Sequence, residues 1–142
     1  MKLLVVEDDE VDTEAIERAV SRSSLPVELH SAGDGHEPLR ILRGNGAEPL
    51  SRPYLVLLDL NMPGMDGFGF LEELRADERC KDAVVFVLST SNSHVDQARA
   101  YDFQVAGYVV KSRVAPRYER LVDLIRDYID VVSLPRIPPS AN

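Results

Sequence analysis

The stretch of sequence that decides the fold is LVLLDLNMPGMDGF, residues 55–68. Four apolar residues run without interruption into a single carboxylate, Asp59, and a Pro63-Gly64 turn follows. A continuous apolar run that is bounded by turn residues is typical of a strand buried on both faces of a sheet. The sequence therefore predicts a central strand over residues 54–59 that ends in an acid.

Strands and helices alternate on either side of this run. The four further strands that we predict lie at 3–6, 27–32, 83–89 and 107–110. The helices that the spacing of apolar residues predicts lie at about 9–23, 36–43, 67–77, 93–103 and 116–130. Five β–α units in this order predict an α/β fold with a doubly wound five-stranded parallel sheet that is covered by helices on both faces.

The composition narrows the possible classes of function. The net charge of −8 argues against a nucleic acid partner, because phosphate binding needs a basic surface. No apolar run approaches the roughly 20 residues that a helix needs to cross a bilayer, so we expect no membrane partner. The single cysteine, Cys80, excludes an intramolecular disulfide and fits a reducing compartment, so we expect a cytoplasmic protein.

Polar residues follow the predicted strands at their carboxyl ends. The first strand is followed by Glu7-Asp8-Asp9, the third ends in Asp59, the fourth ends in Ser89-Thr90-Ser91, and the fifth is followed by Lys111-Ser112. Parallel strands bring such ends to one edge of the sheet, where this class of fold binds its ligands. Neighbouring carboxylates repel one another unless a cation joins them, and Mg²⁺ prefers oxygen ligands of this kind. The pattern predicts a Mg²⁺-assisted phosphoryl site with a carboxylate nucleophile.

Four motifs together resemble the receiver domains of two-component response regulators. They are LLVVEDDE (3–10), LLDLNMPGMDGF (57–68), VLST (87–90) and GYVVKS (107–112). The resemblance covers about residues 2–130, and it implies a flavodoxin-like (βα)5 fold with strand order 2-1-3-4-5. It also implies a single-domain response regulator that accepts a phosphoryl group from a sensor histidine kinase and then switches its partner binding. Such a phosphoacceptor assists its own phosphorylation and its slow dephosphorylation.

The resemblance implies a role for each residue that matches a family motif. Asp59 matches the phosphoacceptor, and Lys111 matches the lysine that pairs with the phosphoryl group. Ser89 and Tyr108 match the two switch positions. The residues that match the Mg²⁺ ligands are Glu7, Asp8, Asp59 and, through its backbone carbonyl, Asn61.

Three points stay open at the level of sequence. The acidic pair after the first strand is either Glu7 with Asp8 or, one residue later, Asp8 with Asp9, and on the first reading Asp9 caps the first helix. Ser112 stands where the family usually has a proline, which leaves the geometry of the Lys111–Ser112 bond open. Gln104 stands where the family often has a glycine that closes the preceding helix. A left-handed backbone costs Gln on the order of 1 kcal/mol, so the sequence leaves open whether this loop keeps the left-handed conformation or takes another shape.

The C-terminal part of the sequence bears on partners. Residues 108–129, YVVKSRVAPRYERLVDLIRDYI, and the tail after them are similar to the regulators that partner bacterial and cyanobacterial phytochrome kinases. This similarity implies a bacteriophytochrome as the kinase, and a homodimer that forms through the last helix. Residues 1–131 are then the receiver domain, and residues 132–142 are a tail or dimerisation arm, with no output domain expected.

Two other functions remain possible for a chain with this fold. They are a phosphorylation-independent adaptor and a metal-dependent phosphohydrolase.

Overall fold

The computed structural model describes residues 1–33, 36–44, 48–62 and 65–139. Its main sheet has five strands: β1 (Lys2–Val6), β2 (Glu28–Ala32), β3 (Tyr54–Asp59), β4 (Val84–Ser89) and β5 (Gly107–Val110). All neighbours in this sheet are parallel, in the order β2-β1-β3-β4-β5. The predicted doubly wound sheet and its strand order are thus confirmed. Asn61–Met62 and Met65–Asp66 form a separate, short antiparallel pair directly after β3.

In the described ranges, five α-helices connect and follow the strands. They are α1 (Glu10–Arg22), α2 (His36–Arg43), α3 (Gly67–Ala76), α4 (His94–Asp102) and α5 (Glu119–Val131). The first four lie close to their predicted bounds. The last begins at Glu119, later than the predicted start at about 116, because Tyr118 has a left-handed backbone (φ 60°) that an α-helix of L-residues excludes. None of the helices in the described part of the chain is long and apolar enough to cross a membrane.

Strand β3 is buried along its whole length, as its apolar sequence predicts. Leu55 and Leu57 belong to the core that the sheet forms with α1 and α5, whereas Val56 and Leu58 face the core on the opposite side of the sheet. Full burial of each of these side chains contributes roughly 1.5–3 kcal/mol to folding. The strand is therefore held firmly from both faces, and it fixes the position of Asp59 at the carboxyl edge of the sheet.

The segment after α5 packs against the core of the domain. Leu134 is buried in the core beside α1 and α5, whereas Ile137 is 80% exposed. The predicted irregular tail is therefore anchored at Leu134 and presents an apolar side chain to solvent three residues later.

The loop after α4 keeps a left-handed residue although glycine is absent. Gln104 has φ 61°, so the alternative of a different loop shape does not occur. The guanidinium of Arg75 holds this loop, because it donates hydrogen bonds to the carbonyl oxygens of Phe103 (2.8 Å) and Gln104 (3.1 Å). It also donates to the carbonyl oxygens of Lys81 (2.8 Å) and Ala83 (2.7 Å), at the start of β4.

Replacement of Gln104 by glycine is expected to raise the free energy of unfolding by about 1 kcal/mol, because glycine adopts the left-handed conformation without a steric penalty. Urea unfolding of both proteins measures the difference. The matched control is Gln97→Gly in α4, where the backbone is helical and glycine should lower the stability by a similar amount of about 1 kcal/mol. A loss of stability in both variants would contradict the strain at Gln104.

Candidate functional site

Three carboxylates meet at the carboxyl edge of the sheet. Glu7 and Asp8 follow β1, Asp59 ends β3, and these two strands are neighbours. Carboxylate oxygens of the three residues lie within 4.8 Å of one another. Glu7 and Asp59 are each only 4% exposed, and Asp8 is half-buried. Three acidic groups are therefore crowded together where solvent screens charge poorly.

The ammonium group of Lys111 lies against this cluster. Its Nζ donates to Glu7 Oε2 at 3.0 Å and to Asp59 Oδ2 at 3.2 Å. Burial opposes the positive charge, but hydrogen bonds to Asp12 and Glu7 and the charge of Asp59 outweigh burial and raise the pKa of Lys111. The lysine therefore stays charged and balances part of the negative charge. The Lys111–Ser112 bond is trans, so Ser112 does not reproduce a cis bond at this position.

Glu7 is the most perturbed acid of the cluster. Burial raises the pKa of Glu7 to about 8, and the hydrogen bond and negative charge of Asp59 act in the same direction. The hydrogen bond to Lys111 acts against this rise without cancelling it. In the absence of a cation, Glu7 therefore carries a proton at neutral pH.

The donor set fits a hard divalent cation. Mg²⁺ prefers carboxylate, carbonyl and water oxygens, and three carboxylate oxygens within 4.8 Å can approach one such ion. Within the described ranges the cluster contains no His or Cys, the ligands that favour zinc. A cation here would also offset the burial and the negative charge of Asp59 that raise the pKa of Glu7.

The Asp9 carboxylate caps a helix and is not one of the three carboxylates of this cluster. Its Oδ1 accepts hydrogen bonds from the backbone N–H groups of Val11 (2.8 Å) and Asp12 (3.3 Å), which caps α1. Of the two acidic pairs left open by the sequence, Glu7 with Asp8 is the pair that meets Asp59.

Asn61 links the end of β3 to the end of β4. Its backbone N–H donates to Asp59 Oδ1 at 2.9 Å, and its side-chain amide donates to the hydroxyls of Ser89 (2.9 Å) and Thr90 (3.1 Å). Ser89 is fully buried, and its Oγ also accepts a hydrogen bond from the N–H of Ser91 at 3.0 Å. The role of the Asn61 carbonyl as a ligand remains a prediction, because these contacts use the amide groups alone.

Tyr108 reaches the same loop from β5. Its side chain is half-buried, and its hydroxyl donates to the carbonyl oxygen of Ser91 at 3.0 Å. The two residues at the predicted switch positions, Ser89 and Tyr108, are therefore both hydrogen-bonded to Ser91. A movement of either side chain would act on this loop.

Two residues at the site were absent from the sequence prediction. Asp12 Oδ2 accepts a hydrogen bond from Lys111 Nζ at 3.0 Å, and Asp12 Oδ1 accepts one from the hydroxyl of Tyr118 at 2.8 Å. Burial and this hydrogen bond raise the pKa of Tyr118, so its hydroxyl acts as a donor. The signal for Asp12 was available, since it is an acid in the first turn of the helix that begins directly after the acidic pair. Tyr118 gave no signal, because the predicted start of α5 placed it inside the helix.

Comparisons with known proteins identify the family to which the chain belongs. Residues 3–125 match the response regulator receiver domain family. Response regulator Rcp1 of Synechocystis sp. is 33% identical over 135 residues, which are 94% of this chain and 92% of Rcp1. The crystal structure of the phosphorylated cyanobacterial phytochrome response regulator RcpA superposes with a TM-score of 0.81 at 35% identity, covering 94% of this chain and 97% of RcpA. The Mn²⁺-bound form of Rcp1 superposes with a TM-score of 0.80 at 30% identity, covering 94% and 98%. The resemblance that the four motifs indicated is confirmed, and the chain belongs to the family of response regulator receiver domains.

Proposed function

We propose that this chain is a single-domain response regulator that accepts a phosphoryl group from a sensor histidine kinase onto Asp59. One observation carries the proposal. The buried carboxylate of Asp59 lies at a strand end beside two further carboxylates that could bind a cation, and the Lys111 ammonium group is 3.2 Å from it. Its relative RcpA, which is crystallised in a phosphorylated form, supports the same chemistry.

In the proposed reaction, an Asp59 oxygen attacks the phosphorus of a phosphohistidine. A P–O bond forms as the P–N bond breaks, and the imidazole leaves. The Lys111 ammonium stabilises the charge on the phosphoryl oxygens during transfer. Asn61 holds Asp59 Oδ1 through its backbone N–H and so fixes the orientation of the nucleophile. Hydrolysis of the acyl phosphate at the same site then resets the protein.

We propose Mg²⁺ as the cation of this site. Glu7, Asp8 and Asp59 would hold it through their carboxylates, and Asn61 would hold it through its backbone carbonyl. When bound, Mg²⁺ neutralises charge on the transferring phosphoryl group. The Mn²⁺-bound form of the relative Rcp1 supports a divalent cation in this family.

Labelling with a small phosphodonor tests the proposed function. Acetyl phosphate and Mg²⁺ should add one phosphoryl group to the intact chain, as measured by mass spectrometry, and a chelator should prevent the addition. No labelling by acetyl phosphate or by any histidine kinase would contradict the proposal and would favour the phosphorylation-independent adaptor. Repeated turnover of a small phosphate ester would favour the phosphohydrolase.

Mg²⁺ binding is expected to release about one proton at neutral pH, because the cation needs the Glu7 carboxylate while the free protein holds it protonated. The apparent affinity for Mg²⁺ should therefore rise with pH up to about 8 and level off above that value. Titration calorimetry in two buffers of different ionisation enthalpy measures the protons released. Glu7→Gln, which has no acid to titrate, should show neither effect, and an equal proton release from this variant would contradict the role of Glu7.

We propose that phosphorylation changes the surface around α4 and β5. Ser89 would turn toward the phosphoryl oxygens and give up its contact with the Asn61 amide. The loop that contains Ser91 would then shift, and Tyr108, which is bonded to Ser91, would repack. Two arrangements of this kind form a bistable element that the phosphoryl group can bias.

We further propose that the kinase is a bacteriophytochrome, and that the protein is cytoplasmic and binds no nucleic acid. We also propose that the protein forms a homodimer through α5 and an arm of residues 132–142. Residues 1–131 would then be the receiver domain. The relatives described as phytochrome regulators support the choice of kinase. Two apolar side chains at the proposed interface support the dimer, because Val131 is 84% exposed and Ile137 is 80% exposed.

The double variant Val131→Glu, Ile137→Glu is expected to convert the dimer to a monomer, because burial of two carboxylates in an apolar interface costs several kcal/mol. Light scattering coupled to gel filtration measures the mass of each protein. The matched control is Val11→Glu at the start of α1, since Val11 is 75% exposed but lies outside the proposed interface. A wild-type monomer, or a double variant that stays dimeric, would contradict this interface.

A further inference from the structure

Lys111 is held from a direction that the proposed phosphoryl chemistry does not explain. Besides Glu7 and Asp59, its Nζ donates to Asp12 Oδ2 at 3.0 Å. Asp12 lies outside the carboxylate cluster that could hold a cation. Its side chain is 25% exposed, so water could replace Lys111 as its partner. The contact between Asp12 and Lys111 therefore needs something to fix the Asp12 carboxylate.

Tyr118 supplies that fixation. Its hydroxyl donates to the second oxygen of the same carboxylate, Asp12 Oδ1, at 2.8 Å. One oxygen of Asp12 is thus held by Tyr118 and the other is held by Lys111. Hydrogen bonds to both oxygens restrict the rotation of a carboxylate about its Cβ–Cγ bond. The orientation of Asp12, and with it the place of the ammonium group, depends on the tyrosine hydroxyl.

The surroundings of Tyr118 hold its backbone in a strained conformation. The residue is fully buried and left-handed, with φ 60° and ψ 16°, a conformation that costs a bulky residue on the order of 1 kcal/mol. Its N–H donates to the carbonyl oxygen of Val114 at 2.8 Å, and its own carbonyl accepts from the N–H of Val122 at 3.1 Å. Such strained positions persist where the surroundings fix them, and they concentrate at functional sites.

We propose that Asp12 and Tyr118 are positioning residues that hold the Lys111 ammonium at Asp59 before the phosphoryl group arrives. Lys111 Nζ is 3.2 Å from Asp59 Oδ2 in this arrangement, so the ammonium is already next to the nucleophile. Placement in advance matters because a flexible lysine would otherwise have to be ordered during transfer. The inference rests on the proposed function, since it assigns these two residues a part in labelling at Asp59.

A kinetic cycle tests the positioning. Tyr118→Phe removes only the hydroxyl and should slow labelling by acetyl phosphate about fivefold at saturating Mg²⁺, the factor for one lost hydrogen bond. In a Lys111→Met background the same change should cause no further slowing, because the group being positioned is gone. An equal slowing in both backgrounds would overturn the proposal in favour of a general structural effect. Tyr54→Phe is the control, since Tyr54 is buried at the opposite end of β3.

A second measurement does not depend on phosphorylation. The ¹⁵N resonance of Lys111 Nζ in the resting protein should move in Tyr118→Phe and in Asp12→Asn, and should stay in place in Tyr54→Phe. Asp12→Asn also replaces Tyr118→Phe in the kinetic cycle if the latter does not fold. If Lys111→Met labels too slowly to measure, the ¹⁵N resonance alone tests the positioning of Lys111. An unlabelled wild type would contradict the proposed function, whereas an unmoved resonance in both variants would overturn the positioning alone.

Discussion

Asp59→Asn is expected to abolish labelling by acetyl phosphate and by a histidine kinase. An amide has no carboxylate oxygen to attack phosphorus, and the other carboxylates of the site, Glu7 and Asp8, lack the N–H of Asn61 that orients Asp59. The loss should exceed the detection range of intact-mass measurement, because removal of a covalent nucleophile leaves no alternative route. Labelling that persists in this variant would show that another residue is the acceptor.

The fold should survive this substitution, which makes the result interpretable. Asn has the shape of Asp, and its side-chain oxygen can still accept the hydrogen bond from the Asn61 N–H. The change also removes a buried negative charge beside Glu7, where repulsion contributes to the raised pKa of that acid. We therefore expect thermal unfolding at or above the wild-type temperature. Asp102→Asn, at an exposed position at the end of α4, is the matched control and should label normally.

The fold was predictable from sequence because its strongest signals are local. An apolar run such as 54–59 has little choice but a buried strand, and the β–α alternation then leaves few topologies. The start of α5 was predicted wrongly, since helical spacing extends through residues 116–118 while the backbone at Tyr118 is left-handed. Tyr118 also contacts α1 through its hydroxyl, a contact that the spacing of apolar residues does not encode.

The candidate site was predictable only where topology does the positioning. Parallel strands bring Glu7, Asp59 and Lys111 to one edge whatever their side chains do, so strand ends identify them. The contacts of Asp12 with Lys111 and Tyr118 join side chains that are 99 and 106 residues apart in sequence. Such long-range contacts between side chains result from tertiary packing, and no pattern in a single sequence predicts them. The same holds for Arg75, whose four acceptors are backbone carbonyls and leave no trace in the sequence.

Arg75→Met is expected to lower the free energy of unfolding by about 3 kcal/mol, since the substitution leaves three partly buried backbone carbonyls and the exposed carbonyl of Gln104 without their donor. The guanidinium serves the loop after α3 through Lys81 and Ala83, and the loop after α4 through Phe103 and Gln104. Burial lowers the pKa of Arg75, so the protein accepts an electrostatic cost to keep it there. Urea unfolding measures the loss.

Two further variants separate these hydrogen bonds from the loss of charge at Arg75. Arg75→Lys keeps the charge but has a single nitrogen, which cannot reach four carbonyls in two loops, so it should recover less than half of the loss in Arg75→Met. Arg79→Met, which removes an exposed arginine paired with Asp77, should cost no more than about 1 kcal/mol. Equal losses in Arg75→Met and Arg79→Met would mean that the four hydrogen bonds contribute nothing beyond a surface ion pair. A larger loss at Arg75 would instead establish that one side chain on α3 joins the β4 entrance to the left-handed loop before β5.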